Sequence, residues 1–148
     1  MMNILSDIKL SEESVHDLLE RFDTAFSPSL HEGIDFDLYS KKLSENAYFI
    51  LTEQDSQLIG FVAYYKNLDG KFLYIPFTAV HPDGRHKHLG HKMFTQLKDH
   101  LNNQYLQIKL EVLKNNVYAR SFYEREGFVI SEDRNEKLLL EYTHTKSN

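Results

Sequence analysis

The run from Phe72 to Leu113 places the tightest limit on the fold. Phe72 to Val80 is rich in aromatic and β-branched residues, the composition of a strand. Leu89, Met93, Leu97 and Leu101 then recur every four residues, which marks one face of a helix. From Leu106 to Leu113 the period drops to two, with Leu106, Ile108, Leu110 and Val112 on one side of a second strand. Strand, helix and strand in that order make a crossover, so hairpins alone cannot build this domain. Pro76 interrupts the first strand. It has no N–H to give a ladder and so belongs at an edge or a bulge.

The flanking segments supply the rest of the domain. Ser11-Glu12-Glu13 reads as a capped helix start, and Val15, Leu18, Leu19, Phe22 and Phe26 carry helical spacing to about residue 25. Ser27-Pro28-Ser29 breaks it, and Asp35 opens a second helix that ends near Asn46. Ala47 to Thr52 and Leu58 to Tyr65 read as strands, followed by a turn at Asn67-Leu68-Asp69-Gly70. Asn116 to Arg125 is helical and is stopped by Gly127. Phe128-Val129-Ile130 and Lys137 to Tyr142 close the chain as a hairpin. The predicted order is two helices, three strands, helix, strand, helix and two strands, a mixed α/β domain with a mostly antiparallel sheet. With 148 residues, 41% of them hydrophobic, and no repeat or linker, a single domain over 1–148 with a flexible tail at 143–148 is expected.

Composition narrows the chemistry. Without cysteine there are no disulfides, no thiolate zinc sites and no thiol nucleophile. No apolar run approaches the roughly 20 residues of a membrane span, and Met1 to Asp7 lacks the basic and apolar regions of a secretory signal. A soluble, cytoplasmic protein is expected, and the net charge of −5 argues against nucleic acid as a partner. That charge is unevenly spread. Five of the eight histidines (His81, His86, His88, His91 and His100) fall within residues 81–100, where Arg85, Lys87, Lys92 and Lys98 face only Asp83 and Asp99.

This positive island runs from a strand end into a helix start, where unpaired N–H groups and the helix dipole attract phosphate. Arg85 and Lys87 add charge there, and His86 and His88, partly protonated below about pH 6.5, help neutralise a pyrophosphate. Gly90 lets the first helical turn come close to a ligand or a neighbouring strand. A metal is the rival guest, since His86-x-His88 and His88-x-x-His91 have ligand-like spacing. With no cysteine, and only Asp83 nearby to complete a shell, no metal is expected.

Val80-x-Pro82-x-x-Arg85-x-x-His88-x-Gly90 resembles the acetyl-CoA loop of the GNAT superfamily of N-acetyltransferases, with His86 and His88 at positions that are usually small. Leu110-Glu111-Val112 followed by Asn116-x-x-Ala119-x-x-Phe122-Tyr123-x-x-x-Gly127-Phe128 is similar to that family's other motif, and Leu58-Ile59-Gly60-Phe61 to its third strand. The two motifs cover about residues 72–130. The resemblance implies the GNAT acyl-CoA N-acyltransferase fold, a twisted mixed sheet with a splayed central strand pair and about four helices. It also implies acetyl-CoA as acyl donor, bound by the Arg85, His86, Lys87, His88, Leu89 and Gly90 segment with Asn116 and Tyr123. A homodimer is compatible with it.

By the same resemblance, acetyl passes directly to a primary amine of a small molecule or a protein. An oxyanion donor comes from the backbone of Thr78, Ala79 or Val80, and Tyr123 protonates the departing CoA thiolate. Family members often carry a strand glutamate as base. Phe72 to Val80 has none, so Glu111 on the next strand is the candidate, acting through water. The two N-terminal helices and their loop would choose the acceptor. His31, Glu32, Asp35 and Asp37 form an acidic stretch suited to a cationic amine, and Tyr39, Tyr64 and Tyr74 are candidate pocket walls. A catalytically silent CoA-binding module on the same fold is the alternative, motivated by His86, His88 and the missing strand carboxylate. On the periodicity, Val117, Tyr118 and Phe122 pack on the sheet while Asn116, Ala119, Arg120 and Tyr123 share another helical face.

Overall fold

A serine and an aspartate begin the first two helices. In the computed structural model, which describes residues 2–26, 29–82 and 88–144, the Ser11 hydroxyl accepts the Ser14 N–H at 3.1 Å and opens α1 (Glu12–Arg21). Asp35 does the same for α2 (Phe36–Asn46), accepting the Leu38 N–H at 3.1 Å. Between them lie short 3₁₀ turns at Asp23–Ala25 and Leu30–Glu32. The helical spacing around Phe22 and Phe26 therefore ends in a tighter turn, and α1 stops at Arg21 instead of running to residue 25.

The remaining elements are β1 (Met2–Ile8), β2 (Ala47–Gln54), β3 (Gln57–Asn67), β4 (Phe72–Val80), α3 (Leu89–Lys98), β5 (Gln107–Leu113), α4 (Val117–Arg125), β6 (Val129–Arg134) and β7 (Lys137–Thr143). The strands form one seven-stranded sheet in the order β1-β2-β3-β4-β5-β7-β6. Every pairing is antiparallel except β4 with β5, which α3 joins as a parallel crossover. The six expected strands are present, and β1 is an addition. It lies on the sheet edge with residues alternately half-buried and exposed, but Leu5 takes an exposed position and Ser6 a half-buried one, so the sequence lacks a clean alternation and carried little strand signal.

Two cores flank the sheet. On one side Leu89, Met93, Phe94 and Leu97 of α3 pack on Ile50, Val62, Leu73, Ile108 and Leu110. On the other, Val15, Leu18 and Leu19 of α1 and Leu43 of α2 cover Phe49, Phe61 and Ala63. Burying an aliphatic side chain of this kind is worth about 1.5–3 kcal/mol, which is what fixes the helices to the two faces. No described helix is long and apolar enough to cross a membrane.

Pro76 is the hinge of the architecture. Ala63 pairs with Phe77 and Tyr65 with Tyr74, so Tyr64 alone faces Ile75 and Pro76, a bulge in the middle of the sheet. The parallel register with β5 also ends there: it runs from Phe72 with Gln107 to Ile75 with Leu110 and goes no further. The bulge resets the alternation of β4. Leu73 and Ile75 join the core under α3, whereas Phe77 and Ala79 pack on the α1–α2 side.

Candidate active site

Beyond Ile75 the β5-facing backbone edge of Phe77 to Val80 has no strand partner, and the two strands diverge around a cavity of about 760 Å³. Its walls come from three sources. Ile75 to Ala79 and Leu110 to Leu113 form the diverging strands. Asn115, Asn116, Tyr118, Ala119 and Tyr123 line it from α4 and the turn before it. Phe26, Leu30, Gly33 and Ile34 close it from the 3₁₀ turns.

α4 enters this wall because Asn116 caps it, its side-chain oxygen accepting the Ala119 N–H at 3.1 Å. The helix is rolled differently from the periodicity-based expectation. Val117 and Tyr118 do not pack on the sheet but stand 66% and 86% exposed. Phe122 takes the inward position, edge-on to Phe94 at 5.4 Å. Tyr123 lies against Phe94, Phe122 and Phe128 with ring centroids 5.4–5.8 Å away, yet still reaches the cavity. Burial pushes its phenol up to about 12, because the charged phenolate is penalised away from water.

The Glu111 side chain is on the α1–α2 side of β5, with the Tyr74 hydroxyl bonded to it. One Arg134 nitrogen donates to its Oε2 at 3.0 Å, and the same guanidinium grips Glu132. Those two carboxylates hold the Arg134 pKa above its ordinary value. Tyr74 is raised as well, first by burial and then by the Glu111 charge.

At the start of α3, His88 has φ 54° and no side-chain cap bond from any described residue. This left-handed backbone is one that glycine adopts freely and that costs another residue about 1–2 kcal/mol. The histidine thus retains the main-chain geometry of a glycine, with its side chain exposed. Gly90 serves a different neighbour from the one expected. A Cβ there would lie 3.0 Å from the Phe122 ring, so the glycine lets α3 and α4 approach each other. Leu89 is buried in the core and can offer only its backbone. Arg85, His86 and Lys87 lie outside the described residues.

Of the metal-like spacing, His86 lies outside the described residues, and His91 is paired with a carboxylate at the end of α4. His91 Nδ1 lies 2.7 Å from Glu126 Oε2, and Lys98 reaches Glu126 Oε1 at 2.9 Å. The described group of three histidine or carboxylate side chains with ligand atoms within reach of one another is His16, Asp17 and Glu20 on α1.

Of the sequence candidates, Thr78, Ala79, Glu111, Asn116 and Tyr123 line the cavity together, while Val80 turns to the core. None of the five proposed acceptor residues does. Tyr64 is fully buried on the α3 face and donates to Asp7 at 2.6 Å. Tyr39 stands behind Phe77, edge-on at 5.8 Å, and Tyr74 is engaged by Glu111. His31 is bound to Asp23 at 2.6 Å, and Asp35 is the α2 cap. The acidic stretch is consumed by local folding. Phe26, Leu30, Ile34 and Phe77 hold the wall instead, and only the reset imposed by Pro76 pointed to Phe77.

Comparison with known proteins agrees with this geometry. A model described as the acetyltransferase (GNAT) family matches residues 13–128. The PaiA N-acetyltransferase of Thermoplasma acidophilum, solved with coenzyme A, is 18% identical with a TM-score of 0.76, covering 97% of this chain and 99% of its own. The ribosomal-protein-S18-alanine N-acetyltransferase of Escherichia coli is 19% identical at TM-score 0.77, covering 100% and 97%. A putative acetyltransferase of Salmonella typhimurium, yncA, solved with acetyl-CoA, is 13% identical at TM-score 0.72, covering 99% and 95%. No curated protein sequence matches. With the crossover, the splayed strands and a family match over most of its length, the chain belongs to the GNAT family of acetyltransferases.

Proposed function

We propose that this protein transfers acetyl directly from acetyl-CoA to a primary amine, with Tyr123 as the acid that meets the CoA thiolate. The observation that carries the reading is the setting of Tyr123, a buried phenol held protonated at the wall of the gap between β4 and β5. Relatives of the same fold solved with CoA and acetyl-CoA support the donor. The first turn of α3 offers its N–H groups to the pyrophosphate, and the glycine-like backbone at His88 keeps that approach open.

In the reaction the amine nitrogen attacks the thioester carbonyl. The unpaired edge at Thr78 to Val80 supplies an N–H to the oxyanion, a contact worth about 2.7–4 kcal/mol. Glu111, the carboxylate among the described lining residues, takes the amine proton through water. The carbon–sulfur bond breaks, and Tyr123 gives its proton to sulfur. The products are the amide and CoA, and the proton on Glu111 restores the phenol through solvent.

Acetyl-CoA should bind in calorimetry, and no heat at millimolar ligand would overturn the reading. Tyr123→Phe should lower kcat about 10²-fold with acetyl-CoA affinity little changed; an unchanged kcat assigns Tyr123 to packing. A chain that binds acetyl-CoA yet acetylates nothing across an amine panel would be a silent module.

A further inference from the structure

The cavity wall facing the 3₁₀ turns is apolar. Phe26, Leu30 and Ile34 come from the turns and Phe77 from β4, with Phe77 fixed edge-on by Phe26 at 6.4 Å and Tyr39 at 5.8 Å. The acids of the same segment are committed elsewhere. Asp23 accepts the His31 N–H at 2.8 Å and pairs with its ring at 2.6 Å. Glu32 accepts the Ser29 N–H at 3.0 Å, and Asp35 caps α2. Asp37 lies 3.3 Å from His16. Among the described lining residues the one carboxylate is Glu111, and Arg134 sets a positive charge beside it.

From this distribution we infer that the acceptor is a monoamine with an apolar body, and that polyamines and amino sugars are discriminated against. The inference rests on the acetyl-transfer reading and sharpens it. The attacking nitrogen must lose its proton to react and meets Glu111 in doing so. A second ammonium would lie against Phe26, Leu30, Ile34 and Phe77 with no counter-charge among the described lining residues of that wall, and an unpaired cation on such a surface is costly. An alkyl or aryl body gains from the same contact.

Gly33 provides the test. It lines this wall, and a Cβ built on it meets nothing within 4 Å, so a carboxylate can be added without displacing the core. The full chain is assayed with acetyl-CoA and two acceptors of equal length, hexylamine and hexamethylenediamine. The wild type should favour hexylamine in kcat/KM by about tenfold or more. Gly33→Asp should bring that ratio toward one, while Gly33→Asn, similar in size and uncharged, should keep it. A wild type that uses the diamine as well as hexylamine overturns the inference and leaves acetyl transfer standing. A Gly33→Asp protein that melts like the wild type yet keeps its ratio counts against the inference too. Acetylation of neither amine, with acetyl-CoA bound, overturns both readings.

Discussion

A phenol with a pKa near 12 is a reliable donor but a reluctant acid. Tyr123 is protonated across the physiological range. On the proposed mechanism, burial that holds the phenol above its usual value makes handing its proton to the departing thiolate more costly. The proposed mechanism offsets that cost by coupling the step to uptake of the amine proton at Glu111. Because burial raises the Tyr123 pKa above its usual 10, its ionisation sets no alkaline limit at ordinary pH. The kcat/KM profile should stay flat on its basic side to about pH 10. A fall beginning near pH 8 or 9 would mean that another group is the acid. That Tyr123 and Asn116 share one helical face was legible from their spacing, while their candidacy for the site came from the motif resemblance; both line the cavity. Phe77 was not, since its direction depends on where a proline resets a strand.

Between elements, α3 and α4 are tied by one acid. Glu126, with its side chain 6% exposed, closes α4 and receives Lys98 from the end of α3 and His91 from its start. Its backbone carbonyl takes a second Lys98 bond at 2.7 Å. Next to His91, Gly90 admits Phe122. The helix that the proposed function assigns to the pyrophosphate is thereby held in register with the helix that carries Tyr123. Glu126→Ala should cost about 2 kcal/mol, measured by denaturant unfolding, and should raise KM for acetyl-CoA. Unchanged values for both would show that apolar packing alone sets the register. Caps, breaks and the crossover were legible because each is local. The Glu126 pairings span 28 and 35 residues, and no periodicity announces a contact at that distance. The roll of α4 was misjudged for a related reason. Its inward face is chosen by Phe94 and Phe128, not by the count of its own apolar residues.

For the whole molecule, the added strand β1 is anchored by Asp7. Tyr64 donates to Asp7 at 2.6 Å and Lys66 at 3.1 Å, while Ser6 bonds His100 at 2.8 Å. Burial opposes the Asp7 charge, but the Tyr64 and Lys66 hydrogen bonds outweigh it and hold the carboxyl below its usual 3.8. Its contribution is thus complete above about pH 4 and fades as pH falls through the lowered value. Asp7→Asn should cost about 1 kcal/mol at neutral pH, an exposed fraction moderating the effect. That difference should shrink in acid, as thermal melts at two pH values would show. A constant difference would assign the loss to shape. A short edge strand whose apolar residues do not alternate with its polar ones leaves a weak pattern, which is why this anchor was invisible before folding.

The parting of β4 from β5 divides the sheet into two slabs, β1-β2-β3-β4 and β5-β7-β6. Four residue pairs, Phe72–Gln107 to Ile75–Leu110, are the seam. On one side the α3 core bridges that seam; the other side opens toward the 3₁₀ turns. The ladder is shorter at that seam than at β2–β3 or β5–β7, so fewer backbone bonds fix the angle between the slabs than fix the strands within them. A donor held by β4 and α4 at once would be a strut across the gap, a second tie between the slabs beyond the point where the strand ladder stops.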